Sequence, residues 1–371
     1  MSKKNDDRKN IVIVGGGAGG SRVAHSLSTK LDTAKFNIVL IDARPDFILL
    51  PATARAVVSN PNNLEKRILV PLKDVFSKNN GTFIQAEVTG IEKSENGGVV
   101  VLSNEERIPY DILVLSPGSR WTAPFAFPNN NIRDYFYASR ANIEAAQNIV
   151  LVGAGAVAIE LAGEIADVYP KKSVTIVQAA GMVLNKVYPD KFRRALESRL
   201  IARNIELIFG EYVEDTQIKN GTIKTKSGKV IKADLVISTV GPQPNTEFIA
   251  KSLGSDALTE NGYIKVAPTL RLLNHPNIYA VGDAIDYAEQ KQYMKSINQA
   301  NIVAANIIAS IHNKPLSPYK GSREIIVITI GKNGGVAFFD VLWGIVLGDW
   351  FCRLVKSRSL MVNRLKSLIG L

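Results

Sequence analysis

Residues 11–20 read Ile11-Val12-Ile13-Val14-Gly15-Gly16-Gly17-Ala18-Gly19-Gly20. Four β-branched residues in a row suit a short buried strand of a parallel sheet. Glycines follow at once, and then a helix-compatible run, Arg22-Val-Ala-His-Ser-Leu27. Gly15, Gly17 and Gly20 fit G-x-G-x-x-G. The first permits a tight turn, the second lets backbone approach a pyrophosphate, and the third lets the helix pack close to the strand. Residues Gly15, Gly16, Gly17, Ala18, Gly19 and Gly20 are therefore the expected phosphate cradle. A second strand, Phe36 to Ile41, ends in Asp42, twenty-two residues after Gly20. A carboxylate there accepts hydrogen bonds from an adenosine ribose. The order strand, glycines, helix, strand, acid outweighs a ligand-free glycine turn.

The pattern returns at Asn148-Ile-Val-Leu-Val152, Gly153-Ala-Gly155-Ala-Val-Ala158 and the helical run Ile159-Glu160-Leu-Ala-Gly-Glu164-Ile, followed by Ser173-Val-Thr-Ile-Val177. Two dinucleotide folds in one chain are far more specific than one. The second ends in Gln178, where an acid would select NAD through its 2′-hydroxyl. Gln178 hydrogen-bonds a ribose without repelling a 2′-phosphate, so NADH against NADPH is not legible.

Composition narrows the rest. The 371 residues accommodate two or three domains. Cys352 is the one cysteine, which excludes an internal disulfide and a C-x-x-C dithiol relay. His25, His275 and His312 are scattered without metal-ligand spacing, so no metal is expected. The net charge of +11 favours anionic partners. The first ten residues are polar and expected to be disordered, without a signal-peptide core. Ser2 after Met1 excludes N-myristoylation. No apolar run is long enough to span a bilayer. A cytoplasmic location is expected, with peripheral contact to an intracellular membrane left open.

Between the fingerprints, Arg44 and Arg55 are equally cofactor-phosphate ligands or solvated charges. Strands are expected at 81–91, 98–102 and 111–115, the last leading into Ser116-Pro-Gly118. Residues 121–147 read as a linker rich in proline and asparagine. After the second fold, a helix at 192–202 and strands near 205–209, 222–226 and 234–239 lead to a rigid loop, Val240-Gly241-Pro-Gln-Pro-Asn245. Asn277-Ile-Tyr-Ala-Val-Gly282-Asp283 is a strand ending in glycine and aspartate, suited to a ribityl hydroxyl or a phosphate-bound water. A long helix at 293–312 follows, then a hairpin at 324–330 and 336–339. From Trp350 to Leu371 the tail is apolar and basic. Phe351, Leu354, Val355, Met361, Val362, Leu365 and Leu368 recur at helical spacing, either closing the core or, beyond about Leu360, touching lipid.

The two fingerprints, the Val-Gly-Pro-Gln-Pro-Asn loop and Ala-Val-Gly-Asp together resemble the two-dinucleotide-binding-domain FAD/NAD(P)H oxidoreductases. Asp111-Ile-Leu-Val-Leu-Ser-Pro-Gly-Ser-Arg-Trp121, the Glu160–Glu164 run and Val355-Lys-Ser-Arg-Ser-Leu360 are most similar to the apoptosis-inducing-factor-like branch, with the ferroptosis suppressor proteins. Type II NADH dehydrogenases share the plan more distantly. The resemblance implies an α/β fold with two Rossmann-like domains and a small C-terminal α+β segment. It divides the chain into a first FAD part (10–122), an NAD(P)H domain (123–245), a second FAD part (246–322) and the C-terminal segment (323–371). It implies FAD pyrophosphate on Gly15 to Gly20, ribose on Asp42, Arg55 in the segment meeting the cofactor and Val88 touching adenine through its backbone. Gly282 and Asp283 fall on the ribityl side. Gly153, Gly155, Gln178 and Gly241 fall on NAD(P)H, Glu160 at the nicotinamide and Lys356 near the flavin. Ser116-Pro-Gly departs from the commoner Ala-Thr-Gly.

The function so implied is an FAD-dependent NAD(P)H oxidoreductase. With no dithiol and no iron–sulfur or haem ligand pattern, a diffusible quinone is the best acceptor. The alternative is a redox-signalling protein that binds NAD(H) and macromolecular partners with little turnover. A third reading is a reductase of a protein partner such as a ferredoxin. The spread of basic residues and the lack of a binding motif argue against nucleic acid without excluding it. Monomer and homodimer remain open.

Overall fold

A computed structural model describes residues 7–371. Its largest sheet is built from β1 (Lys9–Val14), β2 (Phe36–Asp42), β3 (Thr82–Gln85) and β4 (Ile112–Leu115), with helix α1 (Ala18–Lys30) after β1. Helix α2 (Ile132–Ala145) precedes a second sheet of β5 (Asn148–Val152), β6 (Ser173–Gln178), β7 (Ile205–Phe209) and β8 (Leu235–Ser238), with α3 (Ala156–Val168) after β5. The chain then returns to the first sheet through β9 (Arg271–Leu272) and β10 (His275–Ala280), followed by α4 (Tyr293–Ile311). It ends in an antiparallel sheet of β11 (Ile325–Ile330), β12 (Gly334–Phe339) and β13 (Ile345–Leu347).

The first sheet runs β9-β10-β4-β1-β2-β3, all parallel except β9; the second runs β7-β6-β5-β8, all parallel. In both, the order reverses beside the first strand of the fold. That reversal opens a crevice at the strands' carboxyl ends, where open α/β sheets bind ligands. Ile11, Val12 and Ile13 are fully buried. Each such side chain contributes about 1.5–3 kcal/mol relative to exposure, so the strand that carries the first glycines is rigidly anchored.

Several readings change. The first-ten-residue expectation partly fails, because Lys9 and Asn10 already belong to β1; residues 1–6 lie outside the described residues. The single strand expected at 81–91 is two. Thr82–Gln85 joins the parallel sheet, while Val88–Ser94 opens a separate antiparallel sheet with Gly97–Leu102 and Arg107–Tyr110. The 121–147 linker contains α2, whose Ile132, Phe136, Ser139 and Ile143 are buried at helical spacing.

The tail is not one helix. A short helix, Asp349–Cys352, runs into a π-helix at Arg353–Ser357. Leu360 and Met361 both adopt φ +53, which ends it, and α5 (Val362–Ser367) restarts in a new direction. Val362, Leu365 and Ile369 are buried in the main core. Tyr293 donates to the Leu365 carbonyl at 2.8 Å and Arg22 to that of Leu368 at 2.9 Å. The portion beyond Leu360 thus packs on α1 and α4 instead of standing free for lipid, while Cys352, Ser357 and Leu360 are buried, as expected of the earlier portion. Among the described residues no helix is long and apolar enough to cross a membrane.

Candidate dinucleotide and redox site

Three loops meet at the carboxyl end of the first sheet. The backbone N–H of Gly15 bonds the Ile41 carbonyl, that of Ser116 bonds Val14, and that of Val281 bonds Leu115, at 2.8, 2.8 and 3.0 Å. This places Gly15–Gly20, Ser116–Gly118 and Gly282–Asp283 side by side. The loops are closely fitted. A Cβ on Gly15, whose φ is +98, would lie 2.0 Å from the Ser116 oxygen, and one on Gly20 would lie 1.9 Å from the Gly15 oxygen. Gly16 and Gly19 are confined by Leu72 and Val281. Gly17 is the exception: nothing lies within 4 Å of its Cβ position, it is exposed, and it caps α1 without any side-chain hydrogen bond. An open, uncapped helix N-terminus presents unsatisfied N–H groups and a positive dipole end. Ala18 opens that helix. These features fit a pyrophosphate.

Asp42 terminates β2 and accepts from the backbone N–H of Gly16 at 2.7 Å and of Arg44 at 2.8 Å. The Arg44 guanidinium stands 3.7 Å from the same carboxylate. Ala86 donates to the Asp42 carbonyl at 2.9 Å, which sets the chain before Val88 beside the proposed ribose position. Gly282 has φ +88, and its N–H bonds Gln299 in α4 at 2.8 Å. Asp283 accepts from the Ser119 hydroxyl at 3.3 Å. Burial pushes its carboxyl above the usual range, and the nearby Lys291 charge and the Ser119 bond oppose that.

The second fingerprint repeats this plan. Gly153 (φ +100) bonds the Val177 carbonyl at 2.8 Å and lies against Thr239. Gly155 caps α3 without a side-chain bond. Gln178 accepts from the Ala154 N–H at 3.2 Å. Gly241 (φ +106) is exposed in the loop after β8. That loop is tied to the first site by Gln243–Pro244 pairing with Ser119–Arg120.

One stripe of α3 faces the C-terminal sheet. Glu160, Gly163, Glu164 and Asp167 recur at helical spacing. Glu160 Oε1 accepts from the Lys356 ammonium at 2.7 Å and from the Thr329 N–H and hydroxyl, each at 3.1 Å. Lys356 also donates to the Val327 carbonyl at 2.8 Å. Val327 and Thr329 lie on β11, an edge strand paired only with β12. Glu160 and Lys356 thus form an ion pair that also satisfies main-chain groups on the free edge of β11. A Cβ on Gly163 would meet the Gly331 nitrogen at 2.6 Å, which explains the glycine there. Asp167 accepts from the Lys332 N–H at 2.7 Å.

Arg55 does not point at a free phosphate position. It is 5% exposed and grips Glu164 with two hydrogen bonds of 2.8 Å, and it donates to the Ser357 carbonyl at 2.7 Å. Burial raises the Glu164 carboxyl while the Arg55 charge lowers it. Arg55 therefore links the segment after β2, α3 and the π-helix that carries Lys356. Glu164 was missed as a functional residue. Its signal was present, four residues after Glu160 on one helix face.

The chain thus carries two strand–glycine–helix units of one plan, tied to each other by the Ser119–Arg120 and Gln243–Pro244 pairing. A family model described as "Pyridine nucleotide-disulphide oxidoreductase" matches residues 9–304, and the chain belongs to that family, in its apoptosis-inducing-factor-like branch. Its cofactors are FAD and NAD(P)H. An FAD-dependent oxidoreductase of Flammulina velutipes is 41% identical over 318 residues, covering 85% of this chain and 99% of that one. Apoptosis-inducing factor homolog B of Dictyostelium discoideum is 30% identical, covering 96% of each. Ferroptosis suppressor protein 1 of Homo sapiens is 29% identical, covering 95% of this chain and 94% of that one. The sulfide:quinone oxidoreductase structure of Aquifex aeolicus superposes with a TM-score of 0.77 at 19% identity, covering 97% of this chain and 92% of that one. That likeness shows the fold.

Proposed function

We propose that the chain oxidises NAD(P)H through bound FAD and delivers the electrons to a quinone-type acceptor. The observation that carries the acceptor is the cysteine inventory. Cys352 is the chain's one cysteine and is fully buried. Burial pushes its thiol up to about 11, with Asp349 adding to the rise. The dithiol route in the family's name is therefore closed to this chain, and electrons must leave from the flavin itself.

Bound FAD would supply hydride acceptance and electron release. The chain's residues supply the setting. The α1 terminus at Gly17 would hold the FAD pyrophosphate, Asp42 the ribose, Asp283 the ribityl side and Val88 the adenine. The α3 terminus at Gly155, with Gln178 and Gly241, would hold NAD(P)H. Glu160, one turn into α3, would orient the nicotinamide. The Lys356 ammonium has three N–H donors. Two are engaged by Glu160 and Val327, so the third is available to an acceptor oxygen, where it would stabilise developing negative charge. Arg55 would act behind this pair by fixing the π-helix. The divisions 10–122, 123–245, 246–322 and 323–371 are proposed as the units that assemble around the site.

Anaerobic titration of the purified yellow protein with NADH and NADPH should bleach the flavin. A short, soluble quinone should then restore it and sustain steady-state turnover. A long-lived stoichiometric nucleotide–flavin complex that no quinone discharges would instead support the redox-signalling alternative.

A further inference from the structure

Four large apolar side chains of the C-terminal segment stand in solvent: Leu342 (76% exposed), Trp343 (102%), Trp350 (68%) and Leu354 (77%). Leu342 and Trp343 form the tip of the connection between β12 and β13, both at positive φ (48 and 66), a conformation uncommon for bulky residues. Trp350 and Leu354 are four residues apart in the helical stretch 349–357 and share one face. A chain of edge-on rings joins the two groups. Trp350 meets Phe351 at 5.7 Å, and Phe351 meets Phe339, the last residue of β12, at 5.5 Å. Between them runs the half-exposed edge strand Ile345-Val-Leu347. Exposed apolar surface gathered in this way marks an interaction site.

The segment that carries it is rich in cations, of which Lys356 is paired with Glu160 and Arg364 and Lys366 stand on α5, beyond the left-handed turns. From 341 to 371 the chain holds five cations, Arg353, Lys356, Arg358, Arg364 and Lys366, and one acid. That acid, Asp349, already accepts from Arg199 at 3.0 Å and from the Gly335 N–H at 2.8 Å. Asp340 is the exposed acid next to the tip. Arg353 and Arg358 are exposed and form no salt bridge among the described residues.

We propose that this surface docks the protein on an anionic membrane. Trp343, Trp350 and Leu354 enter the headgroup region, which suits amphipathic indoles, and Arg353 and Arg358 meet lipid phosphates. A second copy of the chain fits less well, because a two-fold contact would bring two copies of the same basic surface together, with Asp340 as the exposed acid on each. The proposal deepens the reading above in one respect that rests on it. Leu354 is two residues from Lys356 on the same π-helix, so docking there would bring the proposed acceptor lysine to the boundary where a long-tailed quinone resides.

The test is co-sedimentation of full-length, FAD-loaded protein with vesicles of phosphatidylcholine alone and of phosphatidylcholine with phosphatidylserine. Binding is expected to the second, weakening as salt is raised, with a blue shift of tryptophan emission. The double variant Trp343→Ser/Trp350→Ser should lose at least about tenfold in binding. Arg353→Gln/Arg358→Gln should lose about fivefold per charge. The tryptophan variant should keep its FAD and reduce a short, soluble quinone as the wild type does. Variants that bind phosphatidylserine vesicles like the wild type overturn the proposal. So does a wild-type dimer that binds no vesicles and that the tryptophan variant dissociates, which would assign the surface to a second copy. If the wild type binds vesicles, the variants do not, and no quinone is reduced, docking stands and the acceptor reading fails.

Discussion

The two glycine fingerprints are near copies in backbone and differ in what their helices carry. Gly17 and Gly155 cap helices of thirteen residues each, at φ/ψ of −67/−172 and −74/178. Each loop is tied to the end of the following strand by an equivalent bond, Gly16 N–H to Asp42 in one and Ala154 N–H to Gln178 in the other. The helices then diverge. The buried face of α1 is small or aliphatic, with Gly19, Gly20, Ser21, Val23, Ala24, Ser26, Leu27 and Ser28. That of α3 adds Glu160 and Glu164, each answered by a cation from a distant segment. Cradle geometry is thus common to both folds. Paired buried charge has been added to one of them, on the face that meets the C-terminal sheet.

The sharpest way to break this contrast is Glu164→Gln. It strands the buried Arg55 charge and should cost about 3–5 kcal/mol in denaturant unfolding. A loss below about 1 kcal/mol would show that the α3 stripe is no more critical than that of α1. Next in size is Gly20→Ala, whose methyl would collide with the Gly15 carbonyl and should cost about 3 kcal/mol. Gly17→Ala sharpens the point, since it meets open space. It should leave stability alone and weaken FAD retention, and an unstable but FAD-saturated Gly17→Ala protein would refute the cradle assignment. The smallest effect belongs to the Glu160–Lys356 pair. Glu160→Ala should slow flavin reduction by about ten- to hundredfold with FAD retained. Lys356→Ala should slow quinone turnover more than Lys366→Ala. Equal, small losses at 356 and 366 would leave Lys356 as a strut for β11.

Legibility followed the range of the signal. The strands and glycines of both folds were readable because each fingerprint is contiguous and its residue types are set by close backbone approach. Helix α2 was missed because prolines and asparagines dominate its N-terminal flank, although the spacing of Ile132, Phe136 and Ile143 was there to be read. Arg55 could be placed near the site by resemblance, but its partner is 109 residues away, and no local pattern announces such a pair. The tail misled for a related reason. Helical periodicity at 350–371 is real in part, yet left-handed turns at Leu360 and Met361 rotate the later residues into the core. Neither residue type signals that conformation.

The return of the chain to its first sheet has a consequence for biosynthesis. The second sheet draws all its strands from residues 148–238 and can pair them as soon as that stretch leaves the ribosome. The first sheet cannot be completed until β10, at 275–280, is made. Until then the edge of β4 is bare, and the first glycine loop lacks its neighbour Asp283 and the helix behind it. The nascent chain therefore passes through a stage in which its second sheet can already be folded while its first displays an open strand edge, the kind of surface that chaperones cover and that aggregates when they do not.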